Sequence, residues 1–407
     1  MIKIVLPILL IVWSCSQPNP RYEYLEKNDS FRKKIGKENF VKSTHGFTYY
    51  ESQNLDHEEV LVFIHGFSVP SYIWDETYFE AINKGLGAVR LDLYGRGFSS
   101  NPNIIYNDEL YADQVIELLK FLSIDKKVSF VGLSNGGRVL SKIATKFPNK
   151  VKRLIYVAPG GFHDVNIAPD ITPVTEVEIN EFIQNNYSTI AKGQMADFKY
   201  PERFVGWDTK YEQLLKYKGF ARALISTSKN NFLLDSINQQ IGMGQLPHYA
   251  IWGDSDVVLP LKDVRDKLKR LMPQLKLFVI KESGHLPHKE QFNQFNLVFF
   301  NEILGIPKKD ITTSEALLMY ESNEGIFVDV RTEAEHIQSS IPNSILIPLN
   351  ELPFRLAELE NYKAEKIVVY CRVGNRSQVA TELLIKEGFK ATNLLGGIVD
   401  WTGPIKL

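Results

Sequence analysis

Gly132-Leu133-Ser134-Asn135-Gly136-Gly137 follows the apolar, β-branched run Val128–Val131 and leads into a helical pattern. A serine on so sharp a strand-to-helix turn holds a strained backbone and an exposed hydroxyl. Glycines at 132 and 136 remove side chains that would strike neighbouring backbone, and the helix start adds amide donors beside the hydroxyl. Ser134 is a poor nucleophile at neutral pH and needs a base oriented by an acid. Two later loops offer them: Trp252-Gly253-Asp254-Ser255-Asp256 and Glu282-Ser283-Gly284-His285, each behind a strand-like run. A lone serine, aspartate or histidine carries no function; the three in this order behind strands supply nucleophile, acid and general base. A second reactive loop is Cys371-Arg372-Val373-Gly374-Asn375-Arg376-Ser377, after the run Lys366–Tyr370 and before a helix reaching about Glu387. A cysteine before a helix start, with two arginines in its loop, has a depressed pKa and is a thiolate nucleophile at neutral pH.

The elements that must position these residues alternate. Runs suited to buried strands lie at Val60–Ile64, Gly87–Leu91, Val128–Val131, Val151–Val157, His248–Trp252 and Leu275–Ile280. Helical patterns separate several of them, at Asp108–Leu122 and Gly137–Lys146, so the fold class is α/β with a parallel sheet. Residues from about 160 to 245 interrupt the pattern, and Phe204–Ser228 reads as one helical stretch with an apolar face. A polar linker at 305–310 precedes a second βα series with strands in Gly325–Arg331, Ser344–Leu349 and Lys366–Tyr370. A chain of 407 residues is too long for one core, which agrees with two domains.

Lys plus Arg number 47 and Asp plus Glu 48, a balance that leaves no field for nucleic acid. Lys3 followed by the apolar run Ile4–Trp13 and small residues describes a signal peptide. About ten residues span about 15 Å as a helix, too short for a bilayer core. Val12-Trp13-Ser14-Cys15 resembles a bacterial lipoprotein box, with Trp13 departing from the smaller residue usual there. The resemblance implies removal of residues 1–14 and lipidation of Cys15, with 15–43 as a polar tether to a bacterial membrane in the cell envelope. Cys15 and Cys371 are the only cysteines, and each belongs to its own motif, so no disulfide is assigned.

Over residues 44–304 the chain resembles the α/β-hydrolase family. His65-Gly66-Phe67 matches its oxyanion turn, Asp92–Ser99 its D-x-x-G-x-G-x-S loop, Trp252–Pro260 its acid loop and Gly284-His285 its histidine loop. The resemblance implies that Asp256 rather than Asp254 is the acid and His285 rather than His288 the base. It also implies that the amides of Phe67 and Asn135 form the oxyanion hole, that His65 is structural, and that the insertion at about 160–245 is a lid. Over 311–407 the chain resembles the rhodanese family, through Asp329-Val330-Arg331, the Cys371–Ser377 loop and Leu395–Trp401. Where that family has G-H-I-P-G-A, this chain has Ser339-Ser340-Ile341-Pro342-Asn343-Ser344.

These readings give a membrane-tethered serine hydrolase of an ester or related acyl substrate, with sulfur transfer through a Cys371 persulfide. Arg372 and Arg376 would draw in an anionic sulfur donor such as thiosulfate. Phosphatases with a related loop place five residues between cysteine and arginine. Here four separate Cys371 from Arg376, a smaller volume suited to a persulfide sulfur. No cofactor or metal is expected. Carbon–carbon bond hydrolysis uses the same triad and is the enzymatic alternative; a binding protein built from two inert modules is the non-enzymatic one. Dehalogenation is disfavoured, because those relatives carry aspartate at the position of Ser134.

Overall fold

Val60–Ile64 is buried at every position because helices cover both faces of the sheet to which it belongs. The computed structural model describes residues 22–163, 170–187, 189–307 and 309–407. Cys15 and the signal peptide lie outside the described residues. The chain divides into two compact units at Phe295/Asn296.

The first unit carries an eight-stranded sheet in the order β1-β2-β4-β3-β5-β6-β7-β8. Its strands are β1 Phe40–Ser43, β2 Gly46–Gln53, β3 Val60–Ile64, β4 Gly87–Leu91, β5 Val128–Leu133, β6 Val151–Val157, β7 His248–Gly253 and β8 Lys276–Ile280. From β4 onward along the sheet every pairing is parallel, while β1 and β2 add an antiparallel edge. Parallel strands need crossovers, and the helices between them supply these. They are preceded by α1 Asp29–Ile35 and include α2 Asp75–Asn83, α3 Asp108–Phe121 and α4 Asn135–Lys146. Between β6 and β7 lie α5 Glu176–Asn186, α6 Trp207–Glu212, α7 Phe220–Lys229 and α8 Asp235–Met243; α9 Leu261–Leu271 joins β7 to β8.

Three expectations change. Residues 22–43 are not a free tether: Tyr22 and Phe31 are buried, and Phe40–Ser43 is a strand of the sheet. The polarity of this stretch goes into hydrogen bonds with the insertion between β6 and β7, as when Glu23 and Tyr24 donate their N–H groups to the carbonyls of Leu215 and Lys216. The single helix expected over Phe204–Ser228 is broken, with Gly219 at φ +90° starting α7 afresh. The stretch expected as a lid over about 160–245 also does not stand apart as a whole: its last helix, α8, packs on the body, where Ser141 Oγ donates to Asn238 Oδ1 at 2.8 Å.

The second unit begins within the helical stretch that follows β8, whose Phe299, Phe300 and Ile303 are buried, so the stretch expected as a linker at 305–310 falls inside this unit. It holds a parallel five-stranded sheet, β11-β10-β12-β13-β9. The strands are β9 Asp310–Ile311, β10 Ile326–Asp329, β11 Ile345–Leu346, β12 Lys366–Tyr370 and β13 Lys390–Leu394. One side of the sheet is filled by Val328, Ile367, Val369, Ala380 and Leu384, the other by Ile311, Phe327, Val368 and Trp401.

Candidate active sites

Ser134 lies between β5 and α4 at φ +51°, ψ −119°, a conformation that costs a non-glycine residue about 1–3 kcal/mol. The strain is held by main-chain bonds on both sides: Ser134 N donates to Val157 O at 2.9 Å, and Gly160 N donates to Ser134 O at 2.8 Å. A Cβ on Gly136 would sit 2.5 Å from the carbonyl oxygen of Ile64, and one on Gly132 would sit 2.7 Å from the backbone of Gly136. Neither position tolerates a side chain without moving the turn.

The loops after β6, β7 and β8 are stitched side by side at the same end of the sheet. Ala158 N donates to Ile251 O, Asp254 N to Ile280 O and Ser255 N to Ser283 O, each at 2.9 Å. Gly253 makes this possible, since a Cβ there would lie 2.0 Å from Gly284 O. The packed loops bring Asp256 and His285 together: His285 Nδ1 donates to Asp256 Oδ2 at 2.8 Å, while Asp256 Oδ1 accepts the amides of Val258 and Leu259, both at 2.9 Å. Asp254 is exposed and turns away, accepting from Ser255 Oγ at 2.8 Å. His288 is buried against Trp74, donates Nε2–H to Ile73 O at 3.0 Å and is held neutral by burial and by Lys289. Burial also opposes charge on His285, but its bond to Asp256 and the charges of Asp256 and Asp197 outweigh it and raise its pKa. Among the described residues no hydrogen bond joins Ser134 Oγ to His285.

A methyl added to Gly66 would lie 3.3 Å from Ser134 Cβ, so the turn after β3 flanks the serine. The amides of Phe67 and Asn135 have no acceptor among the described residues. His65 shapes this turn: it is fully buried, its Nδ1 bonds Gly66 O at 2.9 Å, and its Nε2 accepts from Leu93 N at 2.9 Å. Burial lowers its pKa to about 3, which keeps it a neutral structural group. Arg96 braces the same turn. Its buried guanidinium donates to Phe67 O at 2.7 Å, Tyr111 Oη at 3.1 Å and Thr227 Oγ1 of α7 at 3.0 Å.

Two contacts with the insertion between β6 and β7 have no sequence signature. His285 N donates to Asp197 O at 2.8 Å, and burial raises the Asp197 carboxyl to about 6, with His285 opposing the rise and Asp256 adding to it. Glu290 ties the histidine loop to the insertion, accepting from Gly284 N at 2.5 Å and from Tyr200 N at 3.0 Å. Both contacts span distant segments, so no local spacing announces them.

In the second unit Cys371 is buried at the end of β12, before the helix Asn375–Lys386. Its sulfur accepts from Gly374 N at 3.1 Å and Ser377 Oγ at 3.4 Å. Burial alone would raise the thiol pKa; the Ser377 hydroxyl and the amides of Ser377, Val373 and Gly374 outweigh it and bring it below its ordinary value. The depression expected from sequence is present, but its source is the loop's own donors. Arg372 is exposed. Arg376 is paired with Glu335, through contacts of 2.9 and 2.7 Å. Nearby, buried Asp329 accepts from Arg331 Nη2 at 2.6 Å and His336 Nδ1 at 2.8 Å. Ser340 stands where the rhodanese pattern has its histidine; His336 nonetheless places an imidazole on Asp329.

The fold is that of an α/β hydrolase joined to a rhodanese-like unit, and similarity to known proteins agrees. Residues 59–292 match the alpha/beta hydrolase fold family, and residues 312–404 match the rhodanese-like domain. The chain belongs to the α/β-hydrolase family and carries a C-terminal rhodanese-like domain homologous to sulfurtransferases. It is 26% identical over 259 residues to Lipase 1 of Psychrobacter immobilis, covering 60% of this chain and 77% of the lipase. A sulfurtransferase of Allochromatium vinosum is 37% identical over 82 residues, covering 20% of this chain and 75% of that protein. A solved esterase of Exiguobacterium antarcticum shares the fold, with a TM-score of 0.54 at 17% identity over 65% of this chain and 98% of the esterase.

Proposed function

We propose that the first unit hydrolyses an ester or related acyl substrate through Ser134, His285 and Asp256, and that the second transfers sulfane sulfur through Cys371. The observation that carries the first reading is a strained serine beside two amides without acceptors among the described residues, at the end of the sheet that also holds the Asp256–His285 pair. His285 takes the Ser134 proton as the hydroxyl attacks the acyl carbon. Asp256 holds the Nδ1–H tautomer and stabilises the imidazolium; the proton then goes to the leaving alcohol. The amides of Phe67 and Asn135 hold the oxyanion, each contributing about 3 kcal/mol in comparable sites. Likeness to Lipase 1 of Psychrobacter immobilis supports an acyl ester as the substrate class.

Cys371 as thiolate attacks the sulfane sulfur of an anionic donor such as thiosulfate, forming the persulfide and releasing sulfite. A thiophilic acceptor then removes the outer sulfur. Cys15 is the lipid-modified residue in this reading and holds the enzyme at a bacterial membrane; among the described residues no helix is long and apolar enough to cross one.

A fluorophosphonate serine probe, followed by a panel of acyl esters of graded chain length, tests the hydrolase. Wild type should be labelled and turn over esters, while Ser134→Ala should do neither beyond a residual rate. Labelling of the variant to the same extent would defeat the assignment. For the second unit, mass spectrometry after thiosulfate treatment should show about 32 Da, one sulfur atom, added at Cys371.

A further inference from the structure

Arg376 belongs to the Cys371 loop and has two anionic neighbours, both of which favour its charged form. The charge of the Cys371 sulfur acts on the guanidinium, and both terminal nitrogens are held by Glu335 at 2.9 and 2.7 Å. That grip is preorganised. Glu335 stands in the first turn of the short helix Glu333–Gln338, where Oε2 accepts from Thr332 N and Thr332 Oγ1 at 3.0 Å, and Glu335 N donates back to Thr332 Oγ1 at 3.3 Å. A carboxylate already oriented by two donors meets Arg376 with both oxygens, the geometry that makes such pairs specific. Its bond to Arg376 leads the causes that hold its pKa at about 2, so the charge persists at any working pH. The pair is only partly buried, with 36% and 31% of the side chains exposed. A donor approaching Cys371 therefore meets one cation already neutralised and a fixed negative charge beside it. Arg372 is the exposed cation of the loop and has no carboxylate partner among the described residues.

We propose that Glu335 is the specificity-determining residue of the sulfur-transfer site, setting it against doubly charged donors and in favour of singly charged ones. This rests on the sulfur-transfer reading given above. The chemistry is the same for both donor classes. With thiosulfate, the Cys371 thiolate bonds to the outer sulfur, the S–S bond breaks and the electron pair leaves with sulfite. With an alkyl thiosulfonate the same bond breaks and a sulfinate leaves, so each exchange is balanced with no outside oxidant or reductant. The donors differ in charge, two against one.

Removing the Glu335 charge lowers the repulsion in proportion to donor charge, so the rate gain for the dianion should be the square of the gain for the monoanion. In Glu335→Gln we expect kcat/KM for methanethiosulfonate to rise about threefold and that for thiosulfate about tenfold, both gains shrinking in high salt. Glu335→Asp keeps the charge and should keep the wild-type ratio of the two donors. Arg376→Gln leaves the Glu335 charge uncompensated and should move the ratio the other way. Equal changes for both donors in Glu335→Gln, or a fall for thiosulfate alone, would overturn the proposal while leaving sulfur transfer intact. Absence of a Cys371 persulfide in wild type with either donor would overturn the sulfur-transfer reading and this proposal together.

Discussion

Asp254 and Asp256 stand two residues apart in one loop, yet their surroundings differ in kind. Asp256 is buried and has all its acceptor capacity directed at one imidazole and two amides; Asp254 is exposed and pins its own loop. Asp256→Asn should therefore lower ester turnover by about 10⁴, because the amide stabilises the wrong tautomer of His285. Asp254→Asn should stay within about threefold of wild type, as expected for an exposed group away from the reacting atoms. Steady-state kinetics on the two purified variants decides between them. A pH profile adds a second check. The base form of His285 is the active one, and Asp256 and Asp197 both favour the protonated form, so kcat/KM should rise with pH through a midpoint above the ordinary imidazole value of about 6.5. Asp197→Asn removes one of those two charges and should shift the acid limb to lower pH. An unchanged limb would mean that Asp197 exerts no hold on the base. The proposed triad was legible because serine, acid and histidine each sit in a loop whose glycines and strand are local in sequence. Asp197 was not, because it meets His285 only through the fold, 88 positions away in sequence.

At the scale of elements, the strands that carry the loops were read almost to the residue. β3, β4 and β6 match their apolar runs, since strands buried on both faces have no choice of composition. The β6–β7 insertion and the N-terminal stretch depart from the sequence expectation for a common reason: their order comes from hydrogen bonds to distant backbone, which leave no periodicity. Residues 22–31 strap the insertion to the body. Tyr22 Oη donates to Tyr187 O at 3.0 Å, and Glu23 Oε1 accepts the amides of Gly219 and Ala221 at the start of α7, at 3.1 and 3.0 Å. Lys27 Nζ donates to Ser99 O and Asn101 Oδ1, both at 2.6 Å, and Phe31 packs on Phe40, Phe98 and Tyr217. A strap and a tether predict different outcomes for one variant. Phe31→Ala should cost about 3 kcal/mol of stability, as for other buried aromatic truncations, and would cost nothing in a tether. Urea unfolding followed by intrinsic fluorescence measures the difference. Glu23→Ala should cost about 1 kcal/mol and speed amide exchange in the first turn of α7, whose orphan donors it caps.

Each unit of the whole molecule owns what its chemistry requires. The Ser134 turn, the Asp256 loop and the His285 loop all project from the eight-stranded sheet, whose core runs from Val41 to Met272. Cys371, the amides on its sulfur and the Glu335–Arg376 pair all project from the five-stranded sheet, which has its own two apolar faces. No proposed step in either reaction borrows an atom from the other unit. The two activities should therefore be lost separately. Ser134→Ala should abolish ester turnover while leaving persulfide formation at Cys371 within about twofold, and Cys371→Ser should do the reverse, since sites that share no residue act additively. The double variant should lose both and nothing more. Cys15→Ser should change where the protein resides, moving it from the detergent phase to the aqueous phase, with neither rate altered on soluble substrates. Parallel assays of these four proteins, each on a soluble ester and on thiosulfate, test the separation. A drop of tenfold or more in one activity on removing the nucleophile of the other would show a coupling that the two independent cores do not provide.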